Sequence, residues 1–232
     1  METNIQKAGR WLREAEALLV TASNGLSIAE GYHIFADNED FRRYFGRFRD
    51  TYGIDCLIRG VFAPLPPVEH EVYMAAVHRY LIEDYHGSDV MKDLLAIIGN
   101  KDYMVVTSNG DTHFQMNGFD PERIFEVEGN FDGLAMHSGP WQEEQRRFDK
   151  FARDYSQRQL TVLELGIGKG NRLIKQPVME MVESHPAWRY ITLNMPAEIL
   201  VPDSIADRSL ALPGDIAATF AALREETDDD VL

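Results

Sequence analysis

Four short apolar runs, each closed by a small or polar cluster, constrain this chain more than any other feature. They occupy residues 18–20, 103–107, 161–165 and 188–193. The clusters that close them fall at 23–27, 107–111, 166–170 and Asn194. Segments with helical spacing separate the runs. Apolar strands alternating with helices predict an α/β fold: a parallel sheet with helices on both faces. In open sheets of this kind, ligands bind beyond the carboxyl ends of the strands. Four strand ends with this chemistry therefore predict one ligand site, of the nucleotide-binding type.

The first run shows the logic most clearly. Leu18, Leu19 and Val20 break at Ser23, Asn24 and Gly25, and Ser27 leads into a turn that ends at Gly31. A strand that stops at a glycine turn and opens a helix exposes unpaired N–H groups, which suit a phosphate. The strict GxGxxG fingerprint is absent, because Ser23 stands where its first glycine would be.

The rest of the chain fits a single domain of 232 residues with a helical insertion at about 38–98. The first helix is expected over 3–17, with Trp11, Leu12, Ala15 and Leu18 on one face. Asn38 is positioned to cap a helix that carries Phe41, Tyr44, Phe45 and Phe48 at helical spacing. The prolines at 64, 66 and 67 end that region, and helices follow at 68–84 and 88–98. A further strand is expected at 123–127, helices at 139–157 and 173–184, a last strand around 209–212, and a terminal helix.

Composition narrows the partners. With 23 Lys and Arg against 38 Asp and Glu, the formal net charge is −15, a field that repels nucleic-acid backbones and acidic membranes. No apolar run approaches a membrane span, and the charged N-terminus reads as a helix, not a signal peptide. Cys56 is the sole cysteine, which excludes an intramolecular disulfide and any zinc site built from several thiolates. A cytoplasmic protein is expected. The acidic residues at 225–230 read as a solvated end.

Read in order, these segments resemble the sirtuins. Residues 21–31, TASNGLSIAEG, are similar to the sirtuin glycine loop GAGxSxxxG, and TSNGD at 107–111 resembles the TQNxD motif. ELGIG at 164–168, Asn194, and Gly214 with Asp215 complete the pattern. The likeness runs from about residue 10 to 224 and is nearest to the divergent bacterial branch beside the macrodomain-linked sirtuins, whose fourth strand reads ELGxG.

The resemblance implies a Rossmann-like, sirtuin-type domain that uses NAD as cosubstrate and binds NAD or ADP-ribose. It places Ala22, Ser23, Gly25, Ser27 and Gly31 against the pyrophosphate and adjoining riboses. Ser108, Asn109 and Asp111 fall near the nicotinamide ribose and carboxamide. Gly166, Ile167, Gly168, Asn194, Asp215 and Ile216 fall along the adenosine half. Phe41 and Arg42 match the Phe-Arg pair of the family's mobile loop.

Three departures accompany the likeness. The four-cysteine zinc module is absent, its place taken by the short stretch 129–140. Glu128 precedes Gly129 where the family has its catalytic histidine, and Gly110 replaces an isoleucine. Cleaving nicotinamide from ribose develops positive charge on the ribose, and a nearby carboxylate stabilises it. Asn109, Asp111 and Glu128 are therefore the catalytic candidates, with Glu128 otherwise a solvated loop residue.

Other residues carry less. His113 reads as a packed residue beside Phe114, or as one that approaches the site. His70, His78 and His86 recur every eight residues, two helical turns apart, which is too far for one ion and fits a solvated face. Lys169 and Lys175 are candidates for phosphate contact, against the plainer reading of exposed lysines. The leading function is NAD-consuming ADP-ribosyl transfer to a protein, or protein deacylation. The alternatives are plain NAD hydrolysis and a catalytically silent NAD or ADP-ribose sensor.

Overall fold

The computed structural model describes residues 2–228; Asp229 and Asp230 of the acidic end lie outside them. Six strands form one parallel sheet: β1 (Ala17–Ala22), β2 (Asp102–Thr107), β3 (Ile124–Glu126), β4 (Leu160–Leu165), β5 (Arg189–Asn194) and β6 (Ser209–Pro213). Their spatial order is β3-β2-β1-β4-β5-β6. The chain thus builds outward from β1 on one side and then crosses over to β4, on β1's other edge. That reversal leaves a crevice at the carboxyl ends of β1 and β4. The expected parallel sheet is present, and every residue of β1 and β4 is buried.

Alternate residues of β1 feed two separate cores, as the two-residue period of a strand requires. Leu18, Val20 and Ala22 pack with Leu12, Leu94 and Phe220. These come from α1 (Asn4–Glu14), α6 (Asp89–Ile98) and α10 (Ile216–Asp228). Ala17 and Leu19 face the other way, among Trp141, Phe151, Val178 and Val182. Those side chains belong to α8 (Gly139–Asp154) and α9 (Lys175–Ser184). Thr3 and Gln6 form a reciprocal cap at the start of α1, which satisfies two helix-end groups at once.

Between β1 and α6 the chain makes a helical cover with its own aromatic core. It contains α2 (Asn24–Ala29), α3 (Glu39–Tyr52), α4 (Leu57–Val61) and α5 (Pro67–His78). Asn38 caps α3 by accepting from Phe41 N at 2.8 Å, as its sequence position predicts. Phe41, Phe45 and Phe48 are buried with Tyr73, Val77 and Tyr80, so the aromatic stripe is core. The final turn of the helix expected at 68–84 is widened into a π turn, Arg79–Glu83.

Two expectations change. Lys175 is wholly buried; its ammonium meets Glu164 Oε1 at 2.5 Å and is not available to a phosphate. α9 also starts at Lys175, two residues later than expected. Asn171 Oδ1 receives the N–H groups of Leu173, Ile174 and Lys175, which holds the preceding turn outside the helix. Among the described residues, no helix is long and apolar enough to cross a membrane. No group of three or more His, Cys, Asp or Glu among them is placed to hold a metal ion.

Candidate active site

The loops that follow β1 and β4 touch backbone to backbone. Gly25 N donates to Gly166 O at 3.0 Å. A Cβ built on Gly25 would lie 2.4 Å from Gly166 Cα, and one on Gly166 would lie 2.4 Å from Gly25 Cα. Only two glycines allow this approach, and Gly166 also needs its positive φ of 63°. The contact alters the expected phosphate cradle. The N–H groups of Ser23, Gly25 and Leu26 are spent on Leu165 O, Gly166 O and Ser23 O. Helix α2 is a six-residue turn without a side-chain cap, so it supplies less free donor capacity than a strand-to-helix turn predicts.

The loop after β2 is fastened to the first. Ser108 Oγ donates to Ser23 Oγ at 2.9 Å, and Asn109 Nδ2 to Ser23 O at 3.2 Å. Asn109 is buried, and its Oδ1 has no hydrogen-bond partner among the described residues. Leaving such an acceptor unmet costs about 1–3 kcal/mol, so a buried amide oxygen with no partner points to a ligand donor. Asp111 is buried beside it. Its Oδ2 accepts from Ser27 Oγ at 2.8 Å, and its Oδ1 from His113 N at 3.1 Å.

Ser27, Ser108, Asn109 and Asp111 line a cleft of about 500 Å³. The lining is polar at Asn24, Ser27, Ser108, Asn109, Asp111 and Glu128 and apolar at Phe35, Phe62, Leu81, Phe131 and Met136. Glu128 is solvent-exposed at the rim. Asn109, Asp111 and Glu128 thus share one cavity. The stretch from β3 to α8 is a run of turns, and Phe131 N donates to Gly110 O at 2.8 Å, which lays it over the Asp111 loop.

The remaining sequence candidates divide. Ala22 ends β1, with Ser23 and Gly25 just after it, and none of the three lines the cleft. Gly166, Ile167 and Asn194 follow β4 and β5 on the same edge, joined by Asn194 Nδ2 donating to Ile167 O at 2.9 Å. Gly168 lies beside the Glu198 carboxylate, which accepts from Lys169 N at 3.1 Å. Asp215 accepts from Ala218 N at 2.8 Å and so caps α10, while Ile216 is buried in the core. Gly31 ends the first turn with φ 100° and does not line the cleft. Phe41 is packed against Phe45 in the helical core, and Arg42 is paired with Asp37 at 2.7 Å. Neither reaches the cleft; Phe35 lines it instead.

One buried carboxyl escapes a motif-based reading. Glu126 ends β3 and accepts from Asn130 Nδ2 at 2.7 Å. Burial pushes its carboxyl up to about 7; the nearby Glu144 and Asp111 charges add to this, while hydrogen bonds from Asn130 and Gln115 oppose it. A charged residue at the end of a buried strand was the available signal.

Comparison with known proteins fixes the architecture. No family model matches the sequence. A Sir2 homologue solved in complex with NAD superposes on 97% of this chain and 94% of its own, at a TM-score of 0.66 and 11% identity. A structure from work on the mechanism and regulation of Sir2 enzymes covers 99% of this chain and 98% of its own, at 0.59 and 14%. The chain has the sirtuin fold. Among curated proteins, a protein ADP-ribosyltransferase of Staphylococcus aureus is 20% identical over 92% of this chain and 85% of its own length. A probable bifunctional ADP-ribose hydrolase/ADP-ribosyltransferase of Fusarium oxysporum f. sp. cubense is 31% identical over 56% of this chain. The matched region is 22% of that larger protein.

Proposed function

We propose that this sirtuin-fold chain is an NAD-consuming ADP-ribosyltransferase whose acceptor is a protein. The observation that carries the reading is Asn109 Oδ1, buried near Asp111 in the cleft lining and without a hydrogen-bond partner among the described residues. The names of the two curated relatives support the transferase class. The residues present fit NAD: the Gly25–Gly166 contact brings the loops after β1 and β4 together with no side chain between them, and the polar lining offers donors and acceptors for ribose and carboxamide. When bound, NAD supplies an activated glycosidic bond. Asn109 orients the ribose or the attacking group, Asp111 holds the carboxamide, and Glu128 offsets positive charge that develops on the ribose. The apolar lining excludes water from the reacting end.

Glu128 in place of a histidine removes the ring base that deacylation uses, which favours ADP-ribosyl transfer over deacylation. The helices at 38–98 act as an insertion that walls the cleft within a single domain. A lone, buried Cys56 accords with a cytoplasmic setting.

The test is release of free nicotinamide, measured beside NAD binding. Asn109→Ala is expected to lower the release rate about 100-fold. Glu128→Gln is expected to lower kcat more than NAD affinity, because an interaction made only in the transition state is lost from the rate. Variants that bind and turn over NAD like the parent contradict these roles. Binding without release by the parent, with any protein acceptor, would make the chain a sensor instead.

A further inference from the structure

His113 opens the short helix α7 (His113–Met116), two residues past Asp111, and is completely buried. Both ring nitrogens face acceptors. Nε2 lies 2.9 Å from the Leu81 carbonyl oxygen, and Nδ1 lies 3.1 Å from Glu30 Oε2. A carbonyl oxygen can only accept, so Nε2 carries a proton. Nδ1 then either donates to an ionised Glu30 or accepts from a protonated one.

The surroundings bear on this choice. Glu30 Oε1 already accepts from Tyr85 OH at 2.6 Å and from Ser88 Oγ at 2.8 Å. Tyr85 OH is itself held by Asn117 Nδ2 at 2.6 Å, and Ser88 Oγ accepts from Met91 N at 3.2 Å. Both hydroxyl protons are thereby directed at Glu30 Oε1, which leaves Oε2 to the ring. A second carboxylate, Asp111 Oδ2, lies 3.7 Å from Nδ1. The ring stacks on Tyr85 at 3.7 Å and meets Tyr32 edge-on at 4.8 Å. The titratable groups facing it are Glu30 after α2, Asp111 after β2, and the phenols of Tyr32 and Tyr85.

We propose that His113 is a positioning residue: a buried imidazolium that ties Glu30 and the π turn to the Asp111 loop and so holds Asp111 at the reacting end of the cleft. This rests on the reading of the cleft as an NAD site. Without the positive charge, the Glu30 and Asp111 carboxyl groups would converge on one neutral ring nitrogen, and like charges in low dielectric repel strongly. Three segments meet at this ring, each from a different part of the chain. All three, through Tyr32, Leu81 and Asp111, also line the cleft.

The direction of titration agrees. Burial alone would lower the His113 value, but the Glu30 hydrogen bond, the Asp111 and Glu30 charges and the Leu81 carbonyl outweigh it, and the net shift is upward. A raised histidine stabilises the fold fully below its ordinary value of about 6.5 and loses that contribution as pH rises through the folded value. NAD turnover and stability are therefore expected to share an alkaline decline that His113→Gln removes.

Two measurements test this together. Nitrogen-15 NMR of the ring should show both nitrogens protonated at pH 7 in the free protein; a neutral tautomer there overturns the proposal. His113→Gln should lower nicotinamide release on the order of 10–100-fold, as small displacements of positioned groups do. In an Asp111→Asn background the same change should lower nicotinamide release by no more than about twofold, since the two residues act as one unit. Equal losses in both backgrounds would mean a merely structural histidine and would overturn the positioning role. If the parent neither binds nor consumes NAD, the cleft reading fails and the positioning role with it. The ring spectrum still decides the imidazolium separately.

Discussion

Gly25→Ala is expected to cost about 3 kcal/mol of stability, near the upper end of what overpacking does. The added methyl carbon would stand 2.4 Å from Gly166 Cα and 2.7 Å from Gly166 O. Neither obstacle is a flexible side chain, so the loops after β1 and β4 must move apart. Gly166→Ala meets the same clash from the other side, at 2.4 Å from Gly25 Cα and 2.7 Å from Leu26 N. It adds about 1 kcal/mol for holding an alanine at positive φ. The two costs should not add, because one separation of the loops relieves both. Gly46→Ala serves as the control: it lies inside α3 with open space around it, and it should gain up to about 1 kcal/mol in helix propensity. Urea unfolding measures the parent, the three single variants and the Gly25→Ala, Gly166→Ala double variant. A Gly25→Ala protein as stable as the parent would mean that the crevice is not closed by this contact.

Lys175→Met is expected to be the most damaging change that leaves the backbone untouched. Lys175 and Glu164 side chains are 0% and 1% exposed. Glu164 Oε1 takes the ammonium and Thr192 Oγ1 at 2.8 Å, and Oε2 takes the Tyr190 hydroxyl. Burial, followed by the Glu164 charge, drives the Tyr190 phenol upward, so it stays a donor. Removing the ammonium leaves a buried carboxylate with two neutral donors and no counter-charge, which costs about 3–5 kcal/mol. Replacing both members, as in Glu164→Leu with Lys175→Met, should recover part of the loss, since an apolar pair avoids the desolvation cost. Denaturant midpoints of the single and double variants check this. A single variant less harmful than the double would contradict it.

Much of the architecture is legible in the chain because parallel strands buried on both faces need continuous apolar runs. Residues 103–107 and 161–165 lie within β2 and β4 almost residue for residue. Asn38 is equally legible, since capping is a local event. What escapes the sequence depends on distant partners. Lys175 reads as an exposed lysine until β4 and β5 bring Glu164, Thr192 and Tyr190 around it. His113 reads as core packing until Glu30, some eighty residues earlier, supplies a charge. Phe41 and Arg42 resemble the Phe-Arg pair of a mobile loop, but three-dimensional packing commits Phe41 to the aromatic core. Phe35, which does line the cleft, has no motif to announce it.

The central claim is that this cleft consumes NAD, and one paired measurement on the unmodified protein tests it most directly. NAD is titrated calorimetrically while free nicotinamide is quantified in the same preparation, with ADP-ribose titrated as the reference ligand. Saturable NAD binding accompanied by catalytic release of nicotinamide is the predicted result. Failure to bind NAD, or binding without nicotinamide at any acceptor concentration, would contradict it.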